Sequence, residues 1–137
     1  MAAPVEIEHD LAMTRRSSLI VDDHQAFRTA ARDLLDGRSF AVVGEAAGGR
    51  EALAATARLR PNVVLVDIRL PDIDGYEVAR RLANGSSAPA VVLVSTLDSI
   101  DVGGRAVANG ARGFITKSKL SGDTLRRLLD EKEDEDA

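Results

Sequence analysis

The chain alternates five times between a short apolar run and a stretch with helical spacing. Residues 18–22, 40–46, 62–67, 90–95 and 113–116 read as strands. Residues 24–36 place Phe27, Ala30, Ala31, Leu34 and Leu35 at the i, i+3, i+4, i+7, i+8 positions of one helix face. Gly37 follows, where a C-cap would stand. Residues 50–60 form an Ala-rich helix with Pro61 beyond its end. Residues 75–83 bury Val78, Ala79 and Leu82, and Asn84-Gly85-Ser86-Ser87 breaks the chain after them. Residues 99–108 form a weak fourth helix ended by Asn109-Gly110, and residues 121–131 a fifth that buries Leu125, Leu128 and Leu129. Strands alternating with helices in this way require parallel pairing through right-handed crossovers. The fold class is therefore α/β: a doubly wound, five-stranded parallel sheet with helices on both faces.

The ends of the strands carry the chemistry. Leu19-Ile20-Val21 runs into Asp22-Asp23, and Val63-Val64-Leu65-Val66 into Asp67. Val91-Val92-Leu93-Val94 runs into Ser95, and Phe114-Ile115-Thr116 into Lys117. Open α/β sheets place their sites at the carboxyl edge, so three acids, a hydroxyl and an ammonium are expected to share one rim. Each has a plainer use when taken alone. An acid after a strand often forms a turn or caps a helix, a serine caps, and a lysine is solvated. The combination at the ends of four strands makes those separate uses improbable.

Other bulk features narrow the class. The 137 residues match one domain, and no cysteine is present for disulfides or thiol chemistry. No apolar stretch approaches the roughly 20 residues of a membrane span, and residues 1–10 have no apolar signal core, so a cytoplasmic location is expected. Residues 130–137 carry a charge of −5 and residues 1–12 one of −3; with −4 overall, about +4 remains between them. The acidic ends read as solvated tails, placing the domain at residues 17–130 between a disordered N-terminal extension (1–16) and an acidic disordered tail (131–137). The mildly basic body is too weak a signal for nucleic-acid binding.

Crowded carboxylates repel unless a cation lies between them, and oxygen-only ligation suits Mg²⁺. Lys117 supplies a point charge for a phosphoryl oxygen and Ser95 a donor. A carboxylate nucleophile beside Mg²⁺ and a lysine is equipped to form an aspartyl phosphate. A nucleotide binder would need a Gly- or hydroxyl-rich loop where Asp22-Asp23-His24 stands. A Mg²⁺-dependent aspartyl-phosphate phosphatase would need an acid at position 69, which is Arg. His9 and His24 are too few and too isolated to suggest a metal site or an imidazole base.

These motifs resemble the receiver domain of two-component response regulators over residues 17–129. The segments that carry the resemblance are Ile20-Val21-Asp22-Asp23-His24, Leu65-Val66-Asp67, Leu70-Pro71-Asp72-Ile73-Asp74-Gly75, Ser95 and Gly110-Ala111-Arg112-Gly113-Phe114-Ile115-Thr116-Lys117. Asp-Asp-His followed by Phe27-Arg28, and Lys117 followed by Ser, look like the NarL/FixJ (LuxR-type) branch. The resemblance implies a flavodoxin-like (βα)5 fold and a phosphorylation-switched module of a phosphorelay, not a turnover enzyme. Asp67 would accept a phosphoryl group from a sensor histidine kinase. Asp23 would ligate Mg²⁺ directly and Asp22 through water, with Asp67 and the Arg69 backbone carbonyl as further ligands. Lys117 and Ser95 would contact the phosphoryl group, and Ser95 and Phe114 would act as the switch. A downstream protein partner would bind the face of helix 4, strand 5 and helix 5, and a phosphorylation-linked homodimer fits the same scheme; no membrane or direct nucleic-acid contact is expected. Members of this branch usually continue into a helix-turn-helix domain, for which the tail is too short. A stand-alone receiver is therefore one expectation, and the receiver fragment of a LuxR-type DNA-binding transcription regulator the other.

One local feature stands outside the motifs. Gly103-Gly104 lies inside the predicted fourth helix, and each glycine costs about 1 kcal/mol relative to alanine. With Ile100 and Val107 as its main apolar anchors, that helix is expected to be the least stable element. The competing explanation is that the glycines permit close packing on the sheet.

Overall fold

The computed structural model describes residues 15–86, 88–96 and 100–136. Residues 1–14 and Ala137 of the expected tails, Ser87 of the predicted break and Ser99 of the predicted fourth helix lie outside them. The elements are β1 (Arg16–Val21), α1 (Gln25–Leu35), β2 (Phe40–Ala46), α2 (Gly49–Leu59), β3 (Val63–Asp67), α3 (Gly75–Ala83), β4 (Ala90–Ser95), α4 (Ile100–Ala108), β5 (Gly113–Thr116) and α5 (Gly122–Asp136). A 3-10 turn at Lys117–Lys119 joins β5 to α5. The strands form one sheet in the order β2-β1-β3-β4-β5, parallel throughout. This is the doubly wound (βα)5 arrangement that the alternation predicts.

Alternation along each strand divides the core in two. Leu19, Val21, Val64, Val66, Val91 and Leu93 pack with Ala52 and Ala55 of α2, Val78, Ala79 and Leu82 of α3, and Ala106 of α4. Ile20, Val63, Leu65, Val92, Val94 and Ile115 pack with Ala31 and Leu35 of α1 and Leu125 and Leu129 of α5. Every residue of β3 is buried. At about 1.5–3 kcal/mol for each fully buried aliphatic side chain, the central strands make a rigid platform. The chain leaves β1 toward β2 on one side and places β3 on the other, so the order reverses between β1 and β3. A crevice at the carboxyl ends of those two strands follows from that reversal.

Several local expectations are corrected. The α1 stripe is narrower than its spacing suggests: Ala31 and Leu35 are buried, whereas Ala30 is exposed and Leu34 is 49% exposed. Gly37 is not a left-handed cap. The helix ends as Asp36 turns extended, and the Gly37 amide donates to the Phe40 carbonyl, leading straight into β2. Gly110, at φ 90°, does terminate α4 in the expected manner. Helix α5 runs to Asp136, past the predicted end at 131; its acidic run contains no glycine or proline to stop it. Among the described side chains of α4 the buried one is Ala106, while Val107 is 51% exposed; the side chain of Ile100, the other expected anchor, lies outside those described.

The two α4 glycines are not packing devices. A Cβ added at Gly104 would meet nothing within 4 Å, and one at Gly103 would make only an ordinary 3.9 Å contact with Phe114. An aromatic-face contact supplements Ala106, with the Arg105 guanidinium 4.1 Å from the Tyr76 ring of α3. Among the described residues, no helix is long and apolar enough to cross a membrane.

Candidate functional site

Asp67 is the last residue of β3 and Asp22 the first after β1, both almost wholly buried. The two carboxylates converge on one cation: Lys117 Nζ lies 2.6 Å from Asp22 Oδ2 and 3.4 Å from Asp67 Oδ2. Lys117 reaches them from the 3-10 turn after β5, with its ammonium 4.3 Å from the centre of the Phe27 ring on α1. The pair titrates asymmetrically. Burial penalises the Asp22 anion, but Lys117 and the His24 amide outweigh that penalty and hold its carboxyl below the usual range. Burial also penalises the Asp67 anion, and the Asp22 charge adds to it. Asp67 therefore keeps its proton to a higher pH than an ordinary aspartate, despite Lys117.

The backbone around the acids is tightly built. The Ile68 amide donates to Val94 O and the Arg69 amide to Asp67 Oδ1 at 3.3 Å. The Gly75 amide then donates to Ile68 O, folding the loop back over β3. A Cβ at Gly75 would meet Asp67 O at 2.5 Å, so this crossing requires glycine. Asp72 anchors the same loop to α2 by accepting from the Gly49 and Arg50 amides at 2.8 and 2.9 Å. Those backbone hydrogen bonds pull its carboxyl down to about 2. Asp74 caps α3 by accepting from the Glu77 amide. On the other side, Arg28 donates to the Asp22 carbonyl at 2.6 Å and to Glu45 of β2 at 3.0 Å, and Arg32 also holds Glu45.

Of the predicted site residues, Asp22, Asp23, Asp67 and Lys117 converge. Arg69 contributes its amide to Asp67 while its side chain points to solvent. Ser95 ends β4 in register with Thr116 of β5, and Phe114 lies two residues earlier in β5, packed against the α2–α3–α4 core. Lys117, expected to face a phosphoryl group, rests chiefly on Asp22.

One residue dismissed on sequence joins the cluster. Ligand atoms of Asp22, Asp23, His24 and Asp67 all lie within 4.8 Å of one another. His24 is not isolated: its Nδ1 lies 3.2 Å from Asp22 Oδ1 and 3.1 Å from Asp23 Oδ1. Phe27, Arg28, Glu45 and Asp72 are further site-building residues that sequence reasoning missed. Phe27 and Arg28 gave a signal as the pair that follows Asp-Asp-His, and Asp72 as a small acid in a Pro-Asp loop, but none of these signals gave a place in the pocket. Glu45 looks like an ordinary strand residue until the sheet order is known.

The donor set fits a small divalent cation. Ligands on opposite sides of Mg²⁺ are about 4.2 Å apart, and the acid oxygens here need only a small contraction to reach that spacing. Partly exposed Asp23 leaves the cluster open to solvent, as an ion that retains water requires.

Comparison with known proteins follows the same lines. The family model for the response regulator receiver domain matches residues 18–130. The response regulator GacA of Pseudomonas viridiflava is 38% identical over 100 residues, which are 72% of this chain and 47% of GacA. A protein-glutamate methylesterase/protein-glutamine glutaminase of Alkalilimnicola ehrlichii is 34% identical over 128 residues, 84% of this chain and 31% of that protein. The chain thus spans about half or less of the length of these curated relatives. Among solved structures, the signal receiver domain of NarL from Mycobacterium tuberculosis superposes with a TM-score of 0.78 at 31% identity, covering 87% of this chain and 97% of that one. A LuxR-family two-component response regulator from Aurantimonas sp. SI85-9A1 superposes with a TM-score of 0.77 at 27% identity, covering 86% and 85%.

Proposed function

Because the chain belongs to the response regulator receiver domain family, we propose that it is a phosphorylation-switched module of a two-component phosphorelay, with Asp67 the phosphoacceptor. The observation that carries this reading is Asp67 itself: a buried carboxylate with Lys117 3.4 Å away and the other acids within 4.8 Å. An Asp67 oxygen attacks the phosphorus of a phosphohistidine on a sensor histidine kinase. The P–O bond forms as the P–N bond breaks, and the imidazole leaves with the electron pair and takes a proton. When bound, Mg²⁺ would supply charge neutralisation for the phosphoryl oxygens. Asp23, Asp67 and the Arg69 carbonyl are the residues that would hold it, with Asp22 acting through water. Lys117 transfers from Asp22 to the new phosphoryl oxygens, a short movement for a side chain already between the two acids. Ser95 donates to the phosphoryl group, and Phe114 carries the change to the face of α4, β5 and α5, where a downstream protein or a second copy binds. Half-exposed Val107 supplies apolar surface on that face. The reaction takes place in the cytoplasm.

Incubation with acetyl phosphate and Mg²⁺, read by intact mass, tests this. One acid-labile phosphoryl group per chain is expected, and none in Asp67→Asn. Labelling of Asp67→Asn would overturn the assignment. Multiple turnover on a small phosphoester would favour a phosphatase instead.

A further inference from the structure

We infer that His24 is a ligand of this metal centre, so that the pocket takes first-row transition dications through a ring nitrogen that Mg²⁺ does not use. The inference rests on the reading of the pocket as a divalent-cation site, and it concerns which cations besides Mg²⁺ the site accepts.

His24 occupies the N-cap position of α1, where a side chain normally accepts from the helix's first amides. Its side chain makes no such bond. Instead its own amide donates to Asp22 Oδ1 at 2.8 Å, which fixes the backbone, and the ring turns back over the acid pair. Packing does not put it there, because the side chain is 71% exposed. A hydrogen bond holds it instead: its Nδ1 is bonded to Asp22 Oδ1 at 3.2 Å and lies 3.1 Å from Asp23 Oδ1. Neighbouring ligands of a small dication are about 3 Å apart, since each lies about 2.1 Å from the ion and they subtend roughly a right angle. The nitrogen thus already has the spacing of a ligand beside Asp22 and Asp23, and Asp67 completes the group within the same 4.8 Å.

Chemistry assigns the cation class. Mg²⁺ is a hard ion that fills its octahedron with oxygen and water, and it gains little from imidazole. Mn²⁺ and Zn²⁺ accept mixed nitrogen and oxygen donors, and imidazole suits them better along the series. Carboxylates alone would favour transition ions somewhat, so the signature of His24 is the part of that preference which its ring supplies.

The test measures Mg²⁺ and Zn²⁺ affinity by calorimetry on the wild-type chain, His24→Phe and Asp23→Asn, with pulsed electron paramagnetic resonance on the Mn²⁺-loaded protein. His24→Phe keeps the ring bulk, removes the nitrogen and leaves His9 in place. The expected result is a loss of about tenfold or more in Zn²⁺ affinity with Mg²⁺ affinity within about twofold. Wild-type Mn²⁺ should show ¹⁴N coupling that disappears in His24→Phe. Coupling that is absent in the wild type, or that survives in His24→Phe, overturns the proposal, as does an equal loss for both ions. The Asp23→Asn arm separates this from failure of the underlying reading. If Mg²⁺ binding is absent or indifferent to Asp23→Asn, the pocket is not the divalent site and both readings fall. If Mg²⁺ binding depends on Asp23 while His24→Phe changes nothing, only the role of His24 falls.

Discussion

Gly104→Ala should stabilise the domain and stiffen its switch face. The structure leaves no packing reason for this glycine, since an added Cβ meets nothing within 4 Å. The substitution therefore gains helix propensity alone, about 1 kcal/mol. For a domain of this size that corresponds to a rise of about 4 °C in melting temperature. Amide hydrogen exchange across residues 102–106 should slow about fivefold where it proceeds by local opening of α4. Gly49→Ala is the opposite control: its Cβ would lie 2.3 Å from Ile73 Cγ1 and 2.9 Å from Val78 Cγ2, so it should destabilise. If phosphorylation reorders α4, the added 1 kcal/mol opposes that change, and about fivefold weaker switching should accompany the higher melting temperature. The assay pairs thermal melts with exchange measured before and after addition of a beryllofluoride mimic. Unchanged or faster exchange in Gly104→Ala would refute the view that these glycines make α4 soft. Slower exchange with switching undiminished would refute the view that softness serves the switch.

Lys117→Ala removes the cation from a fully buried Asp22; stripping one partner from such a pair costs about 3 kcal/mol. Its melting temperature in chelator should fall on the order of 10 °C and partly recover with Mg²⁺; a fall below about 2 °C would mean that water solvates Asp22 adequately. Asp67→Asn should be more stable than the wild type in chelator at pH 7. The folded carboxyl binds its proton more tightly than the unfolded one, so wild-type stability falls as pH rises between the two pKa values. That advantage should vanish in urea titrations below the ordinary carboxylate range, and an advantage independent of pH would point to another cause. Asp72→Ala should be less stable at neutral pH. The Asp72 contribution is complete above the ordinary value of 3.8 and lost as pH falls through about 2, so the gap from wild type should hold down to pH 4 and narrow below it. A gap constant to pH 2.5 would show that the lost contact is not ionic.

What could be read in advance was whatever sits within a few residues of its own signal. Each strand is contiguous with the acid, hydroxyl or ammonium it carries, so the rim of Asp22, Asp67, Ser95 and Lys117 follows from apolar runs and a parallel sheet. The misses need distances the sequence does not contain. Asp72 caps a helix that begins 23 residues earlier. Leu34 and Val107 have the right periodicity, but periodicity marks a stripe and not how far across it the neighbouring layer extends. A count of histidines says nothing of His24, whose place depends on where the N-cap backbone sends its ring.

The placement of Lys117 ties these threads together. Without a metal ion, Asp22 is held ionised chiefly by Lys117 and the His24 amide, while Asp67 is left the more basic of the two acids. On the proposed function, a cation entering beside Asp22 and Asp23 would take over part of the neutralising work of Lys117 and relieve the repulsion on Asp67. The same event would favour the Asp67 anion, the form proposed to attack, and would free the ammonium for the phosphoryl group. Metal and lysine would then be successive partners of one carboxylate, not independent features of a rim. Mg²⁺ should accordingly loosen the Lys117–Asp22 pair before any phosphoryl group arrives. A ¹⁵N resonance of the Lys117 ammonium that is slow to exchange in chelator and faster with Mg²⁺ would bear this out, and one unaltered by Mg²⁺ would show that Lys117 waits for phosphorylation.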